Sequence, residues 1–511
     1  MTTPSGSLTQ DLKTTMMRPA AQAEAVGAPS PREGKGGRNL RRLAVHGSLW
    51  VIGSLLVIQI SKVCSNIVLA RLLSPEIFGL TTLAAVIVTG LHMLSDVGVG
   101  SLIIQHHRGD DPRFLNTVWT IQVFRGLLIA ALLALIAVPI SRLYQDSRLA
   151  MILILMGGVA MVDGFNSTSL YTLKRNLKVR QNCTLSVQCQ VVMVGATILA
   201  ALISPTVWAI ILGGYVQTIF RLIASHRLNR DVPNRFCWDS ESSRALFSFG
   251  KWIFVSTAIT FFANQTDRLL LGRLGSLEAL GIYGLALTVA TMPQMLGGQL
   301  AQVVLYPLFA NQAREDLSQL ERKVLLARRV VLSAGLVSVL ATMVLSPWFF
   351  KFLYDERYAT AGWLAQLLCV YTWFSGLQLS ADRVLLAVGD TRSLALSNAV
   401  NVVVTVLGCI GGHWLGGLLG FTIGLCLSTL AGHIVIQVAL ARHGIHILLQ
   451  DVVYTTLMLA MGTVGALGPR LVASFGEGEP SLGVSLMLGL PPLAVTGGWS
   501  LCVAWKVVLK R

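Results

Sequence analysis

The chain is a succession of long apolar runs separated by short polar connectors. A membrane-crossing helix needs about 20 mostly apolar residues. Fourteen runs approach or exceed that length, near 45–70, 78–105, 117–140, 149–170, 183–203, 205–225, 247–271, 279–310, 325–350, 361–387, 394–410, 416–440, 451–469 and 482–505. Between them there is no extended strand alternation of the kind a membrane barrel requires. The pattern predicts an all-α polytopic membrane protein with about 14 transmembrane helices. Several connectors are only a few residues long, so consecutive helices are expected to be antiparallel neighbours.

Composition sharpens this reading. Of 511 residues, 54% are hydrophobic and 13% charged, and mean hydropathy is +0.67. A soluble chain is about one-quarter charged. The shortage of charge excludes a soluble multidomain enzyme, a disordered chain and a disulfide scaffold. Residues 1–42 are the exception: polar and rich in Pro, Gly, Ser and Thr, they are expected to form a disordered cytoplasmic tail. That tail is too long and polar for a secretory signal. The eight cysteines form no C-x-x-C, and most fall in apolar runs, as small buried hydrophobes do.

The net charge of +16, from 40 Lys and Arg against 24 Asp and Glu, needs a location. With a cytoplasmic N-terminus, the alternation of spans puts 27 of the 40 cations in inner segments and 7 in outer connectors. The positive-inside rule then places both termini in the cytoplasm. Most of the charge therefore fixes orientation and does not imply nucleic acid. The outer connectors are all short, so any chemistry must occur within the bundle.

An internal repeat supplies the architecture. Ala70-Arg71-Leu72-Leu73-Ser74-Pro75-Glu76, with Phe78-Gly79-Leu80 after it, resembles Gly272-Arg273-Leu274-Gly275-Ser276-Leu277-Glu278, with Gly281-Ile282-Tyr283-Gly284 after it. Ser74 and Ser276 suit helix N-caps, Pro75 the first helical position, and Glu76 and Glu278 the positive end of the helix dipole. This local role explains the motif without a substrate. Both copies follow odd-numbered spans, so the repeats are parallel and related by an axis along the membrane normal. The expected organisation is a lobe over 43–230 with spans 1–6, a pseudo-symmetric lobe over 231–445 with spans 7–12, and spans 13–14 with the C-terminus over 446–511. Two lobes around a central site are the build of an alternating-access transporter.

Six cations lie inside spans: Lys62, Arg125, Arg221, Lys251, Arg268 and Arg383; the acids there are Asp96, Asp163, Asp267 and Asp382. A charge at mid-bilayer costs at least about 2.5–3.5 kcal/mol. Arg221, Lys251 and Arg383 lie towards helix ends, where long side chains reach the interface. Gln59, Lys62 and Asn66 share one face of span 1, and Ser256, Thr260, Asn264 and Asp267 share one face of span 7, with Arg268 adjoining. At a repeat offset of 202, Lys62 matches Asn264 and Asn66 matches Arg268. Each lobe thus carries a polar stripe with one cation, as expected for a central cavity that takes an anionic, phosphate-bearing ligand. The candidate substrate residues are Lys62, Arg268, Arg125, Asn66, Gln59 and Asn264. The alternative is that the cations pair with Asp96, Asp163 or Asp267 and hold helices together. These three carboxylates are also candidates for ion coupling. His443 and His446 lack further ligands for a metal. No P-loop and no nucleophile–base motif is present. No catalytic residue, cofactor or metal is expected.

The run Leu69 to Leu80, LARLLSPEIFGL, resembles the hallmark of polysaccharide flippases of the multidrug/oligosaccharidyl-lipid/polysaccharide exporter superfamily. So do Asp267-Arg268-Leu269-Leu270-Leu271-Gly272-Arg273-Leu274 with Leu280-Gly281-Ile282-Tyr283, the segment Ser95-Asp96-Val97-Gly98-Val99-Gly100, and Arg175 after span 4. The similarity covers about residues 40–440. It implies a substrate of oligosaccharide repeat units on undecaprenyl diphosphate, made at the inner leaflet of a bacterial plasma membrane. It implies capture in an inward-open cationic cavity, rocking outward, and release for lipopolysaccharide or exopolysaccharide assembly. Membrane lipids, a polymerase and other assembly proteins are the partners it implies. A drug/cation antiporter of the same fold is the main competitor, but six basic residues against four acidic ones in the spans disfavour it. A polysaccharide polymerase or ligase is a third reading, disfavoured because such enzymes need a sizeable outer loop.

Overall fold

The computed structural model describes residues 35–475 except 97, 107, 177, 229–233 and most of 301–318. Of the tail expected to be disordered over 1–42, residues 35–42 are helical, forming the start of the first helix, while residues 1–34 and the span expected at 482–505 lie outside the described residues. Among the described residues the structure is helical throughout, with no strand.

The first lobe comprises α1 (Lys35–Leu72), α2 (Pro75–Leu94), α3 (Val99–Gln105), α4 (Pro112–Leu143), α5 (Arg148–Gly164), α6 (Ser169–Arg175), α7 (Val179–Ile203) and α8 (Val207–Leu228). The second comprises α9 (Ser240–Leu274), α10 (Leu277–Ala290), α11 (Met292–Leu300), α12 (Leu320–Leu353), α13 (Ala359–Val388) and α14 (Thr391–Arg442). α15 (Leu448–Phe475) follows. Eight described helices are each long and apolar enough to cross a membrane alone.

Within the described residues the expected spans 1–13 are helical, with instructive departures; span 8, expected at 279–310, is α10 and α11, and most of its remainder lies outside the described residues. Span 2 is not one helix. It breaks between α2 and α3, where Ser95 ends α2 and Gly98 adopts φ +73°. Span 4 breaks between α5 and α6, which meet at 59°. Spans 11 and 12 are the two arms of α14, which turns at Gly416 and at Gly417 with φ +57°. The arms then fold back so closely that a Cβ on Gly412 would lie 2.1 Å from the Gly420 carbonyl oxygen, and one on Gly424 2.1 Å from that of Gly408. Glycines at every fourth position make this approach available, as in other membrane helix pairs.

Helix starts follow the expected chemistry. The Ser276 hydroxyl accepts the Ala279 N–H at 3.0 Å. Ser74 sits at the equivalent N-cap with extended φ/ψ but makes no capping bond, and Pro75 follows it. Asp111 caps α4 and Asp390 caps α14 through their carboxylates. The broken second crossing is closed by Arg175, which donates at 2.8–3.0 Å to the carbonyls of Ile103, Ile104 and His106 at the end of α3. Its Nε pairs with Asp110 at 3.0 Å.

The lobes are joined at the end that carries Ser74 and Ser276. α2 packs on α10 and α9 there. Tyr358 donates to the Leu73 carbonyl at 3.1 Å, and Tyr144 to the Leu269 carbonyl at 3.3 Å. Glu76 receives Arg148. A large apolar core shared by both lobes, including Leu73, Leu83, Leu280, Tyr283 and Tyr358, fills this end.

A candidate transport cavity and a charged pocket

The expected substrate residues divide into three settings. On α1, Lys62 is exposed, while Gln59 and Asn66 are half-buried. Gln59 lies against Met295 of the second lobe, its amide 3.0 Å from the sulfur. Only 6% of the apolar window of Trp50–Leu72 is buried, so α1 packs loosely. On α9, Asn264 is exposed and Arg268 is half-buried. Arg268 is bonded to Gln265 and to the Asn264 carbonyl, one turn back. Asp267 is turned the other way: it is 7% exposed and accepts the Tyr283 hydroxyl of α10. No described contact joins Lys62 to Arg268.

Arg125 belongs to a different place. Its guanidinium donates to Ser95 Oγ at 3.1 Å and to the His92 carbonyl at 2.6 Å, and lies 3.9 Å from Asp96. Asp163 stands 3.7 Å from Arg221 of α8. Both acids sit at helix breaks, Asp96 between α2 and α3 and Asp163 at the end of α5. Arg125, Arg221 and Asp163 line a cavity of about 100 Å³ in the first lobe with His92, Gln122 and Asn166. The structure thus gathers Arg125, Asp163 and, beside them, Asp96 into one charged pocket.

The second lobe has a counterpart of opposite character. Its cavity, about 50 Å³, lies between α11, α12 and α13 and is lined by Gly297, Gly335, Gly376 and mostly apolar side chains. At the repeat offset of 202, Gln294 stands where His92 stands in the first lobe. It donates to Ser375 at 2.6 Å. Of these two cavities only that of the first lobe is lined by charged side chains.

One buried cation escaped the sequence reading. Arg328 is counted among the inner connector cations, although the ninth expected span, 325–350, already includes it. In the structure α12 starts at Leu320 and Arg328 is fully buried. It pairs with Asp451 of α15 at 2.9 Å and donates twice to Ser380 of α13 at 3.1 Å. Asp451 also meets His433 of α14 at 3.0 Å and receives Gln437. Three elements of the second lobe, α12, α13 and α14, thus meet α15 in one buried network around this ion pair. Hydropathy averaging hides such a residue, because one charge in an apolar window does not reveal the face it occupies.

Comparison with known proteins gives this architecture a family. Residues 68–362 match the model of a family described as polysaccharide biosynthesis protein. The chain is similar to the lipopolysaccharide biosynthesis protein WzxC of Escherichia coli, 23% identical over 76% of this chain and 79% of that one. It is also similar to the teichuronic acid biosynthesis protein TuaB of Bacillus subtilis, 23% identical over 65% and 73%. A third relative is the succinoglycan biosynthesis transport protein ExoT of Rhizobium meliloti, 25% identical over 55% of each chain. In fold it resembles the lipid II flippase MurJ in its inward closed conformation, with TM-score 0.67, 13% identity, and 91% of this chain and 100% of that one covered. An inward-facing multidrug resistance MATE transporter of the MOP superfamily gives TM-score 0.60, 14% identity, and 76% and 94%. The chain belongs to the polysaccharide biosynthesis protein family, and its fold is that of a polytopic helical membrane protein.

Proposed function

We propose that the protein flips undecaprenyl-diphosphate-linked oligosaccharide repeat units from the inner to the outer leaflet of a bacterial plasma membrane. The family match over more than half the chain carries this reading. The two-lobed fold supports it, because a cleft between rigid lobes can be exposed to each side in turn. In this reading both termini are cytoplasmic, and the joined Ser74/Ser276 end is the outer one. The conformation described is then closed outward. The moving bodies are residues 43–230 and 231–445, with 446–511 appended.

The diphosphate needs fixed cations in a partly hydrated cleft, because a charge-assisted hydrogen bond to phosphate outlasts one between neutral groups. Lys62 and Arg268 take that role, with Asn66, Gln59 and Asn264 as sugar contacts. Exposure of Lys62 and Asn264 leaves them free to meet a ligand. Arg125 is assigned a lesser part, since it is bonded within its own lobe. Asp96 and Asp163 are the coupling carboxylates, ahead of Asp267, which Tyr283 holds. Polymerase and other assembly proteins receive the product.

Deletion of the gene tests the function. Surface polysaccharide should be lost and lipid-linked repeat units should accumulate on the inner leaflet. Intact polysaccharide would refute the reading. Lys62→Ala and Arg268→Ala should each lower translocation at normal expression, and unimpaired export by the double variant would refute their assignment.

A further inference from the structure

The repeated motif has a second use that its capping chemistry does not require. Each copy is gripped by a tyrosine of the other lobe. Tyr144 ends α4 of the first lobe. Its hydroxyl donates to the Leu269 carbonyl of α9 at 3.3 Å. Its ring lies over Gly272, where a Cβ would stand 3.3 Å from the ring edge. Gly272 is the small residue that opens the second copy. Tyr358 lies in the single turn Glu356–Tyr358 that follows α12 of the second lobe. Its hydroxyl donates to the Leu73 carbonyl, inside the first copy, at 3.1 Å. Its ring meets Phe78 of α2 edge-on, with centroids 6.1 Å apart. Both tyrosines follow the ends of equivalent spans, the third and the ninth.

The two grips are reciprocal without being copies. α12 also ends in a tyrosine cap, Tyr354. That ring packs against Phe350 and Tyr358, at centroid distances of 4.8 and 5.9 Å, and Tyr358 makes the reach instead. Each bond has a local reason. Leu73 lies just past α1, where carbonyls have no helical partner. Tyr358 is fully buried, so its hydroxyl and that carbonyl each need the other. Leu269 lies within α9, and a carbonyl already in a helical bond keeps a second lone pair for Tyr144. Arg71 of the first copy adds a third link. It donates to the Leu353 carbonyl at the end of α12 at 3.4 Å, where the helix dipole favours a cation. In all three bonds the donor and the acceptor belong to different lobes. The ion pairs at this end do not cross: Arg148 meets Glu76 and Asp146 within the first lobe, and Arg357 meets Asp355 within the second.

We propose that Tyr144 and Tyr358 are a latch that holds the cleft shut at the Ser74/Ser276 end, with the repeated motif as the surface it grips. The two hydroxyls then set how often the cleft opens there. This rests on the proposed function for its sidedness. Neutral bonds suit a joint that must part. A hydroxyl and a backbone carbonyl exchange each other for water with little net change in free energy, whereas a buried ion pair across the joint would resist opening.

The experiment measures access to the cleft and not transport. The full chain carries Thr260→Cys, on the polar stripe of α9, as a reporter. A membrane-impermeant maleimide is added to oriented vesicles from either face, and labelling of the chain without the reporter is subtracted. Tyr144→Phe and Tyr358→Phe should each raise labelling from the outer face by roughly three- to tenfold, the range of one hydrogen bond. The double variant should raise it further, and labelling from the cytoplasmic face should fall. Tyr354→Phe removes a neighbouring hydroxyl that makes no described bond to the other lobe, and should change neither. Unchanged outer labelling in the double variant would overturn the proposal. An equal rise from both faces, which marks a loosened fold, would overturn it too, as would the same outer rise in Tyr354→Phe. Outer opening that responds as expected in a chain that flips no lipid-linked sugar would uphold the latch and refute the proposed function.

Discussion

Gly79 and Gly281 occupy equivalent positions in the two repeats, 202 residues apart, and each lies against the other's helix. A Cβ on Gly79 would stand 1.7 Å from the Leu277 carbonyl oxygen, and one on Gly281 2.0 Å from that of Pro75. Pro75 and Leu277 are themselves 202 apart. The contact is reciprocal, as it must be for two repeats that meet on a pseudo-two-fold axis.

No side chain fits at this crossing without parting α2 from α10. Gly79→Ala or Gly281→Ala should therefore destabilise the joined lobes by roughly 1–3 kcal/mol, the usual cost of overpacking. Thermal unfolding in detergent measures the loss, and cysteine labelling in the cleft reports whether the lobes have separated. An unchanged midpoint for both variants would contradict the packing described.

Arg175 closes three carbonyls and one carboxylate with a single planar group. Arg175→Ala should cost about 1–3 kcal/mol, as buried acceptors lose their donor. Arg175→Lys should recover little of it, because an ammonium cannot reproduce the guanidinium fork. Equal stability of the lysine variant and the parent would show that charge alone is needed.

Asp451 is the sole carboxylate paired with Arg328 among the described residues. Asp451→Asn should cost about 3–5 kcal/mol, because it leaves a buried guanidinium unpaired. Exchanging both partners for apolar residues, Arg328→Met with Asp451→Leu, should return most of that stability. A double variant as unstable as Asp451→Asn would mean that the pair contributes more than charge balance. The comparison is made by thermal unfolding of the full chain.

Asp390 lies in the connector between α13 and α14. Hydrogen bonds from the Ser393 hydroxyl and N–H, then from His443, lower its pKa from 3.8 to about 2. A carboxylate whose folded value is depressed stabilises the fold above its ordinary value and loses that contribution as pH falls towards the folded value. The stability difference between the parent and Asp390→Asn should be constant above about pH 5 and should shrink between pH 4 and 2. A difference that persists unchanged at pH 2 would place the stabilisation elsewhere.

How legible each feature was depends on the range of the interaction behind it. The Ser276 cap, the repeat at offset 202 and the polar stripe of Gln59, Lys62 and Asn66 depend on residues within a few turns, and they appear in the structure where the pattern puts them. The breaks at Ser95–Gly98 and Gly164–Asn166 were hidden because the apolar composition runs through them. Only the glycines and the acids Asp96 and Asp163 marked the sites. Pairing was not legible. Asp163 meets Arg221, 58 positions along the chain, and Arg328 meets Asp451, 123 positions along.

By itself the sequence determined that the chain lives in a membrane, about how many times it crosses, and that it is built from two parallel repeats. Those follow from transfer free energy summed along the chain, which needs no partner. The tertiary structure decided which charges are shared and which stand free. It turned Asp267 towards Tyr283, buried Arg328 against Asp451, and left Lys62 exposed. It also placed Gln122 beside a helix break 42 residues away, with one amide oxygen unclaimed. In a low-dielectric interior a charge is stable only beside its partner, and helices far apart in the chain supply that partner only once they have packed.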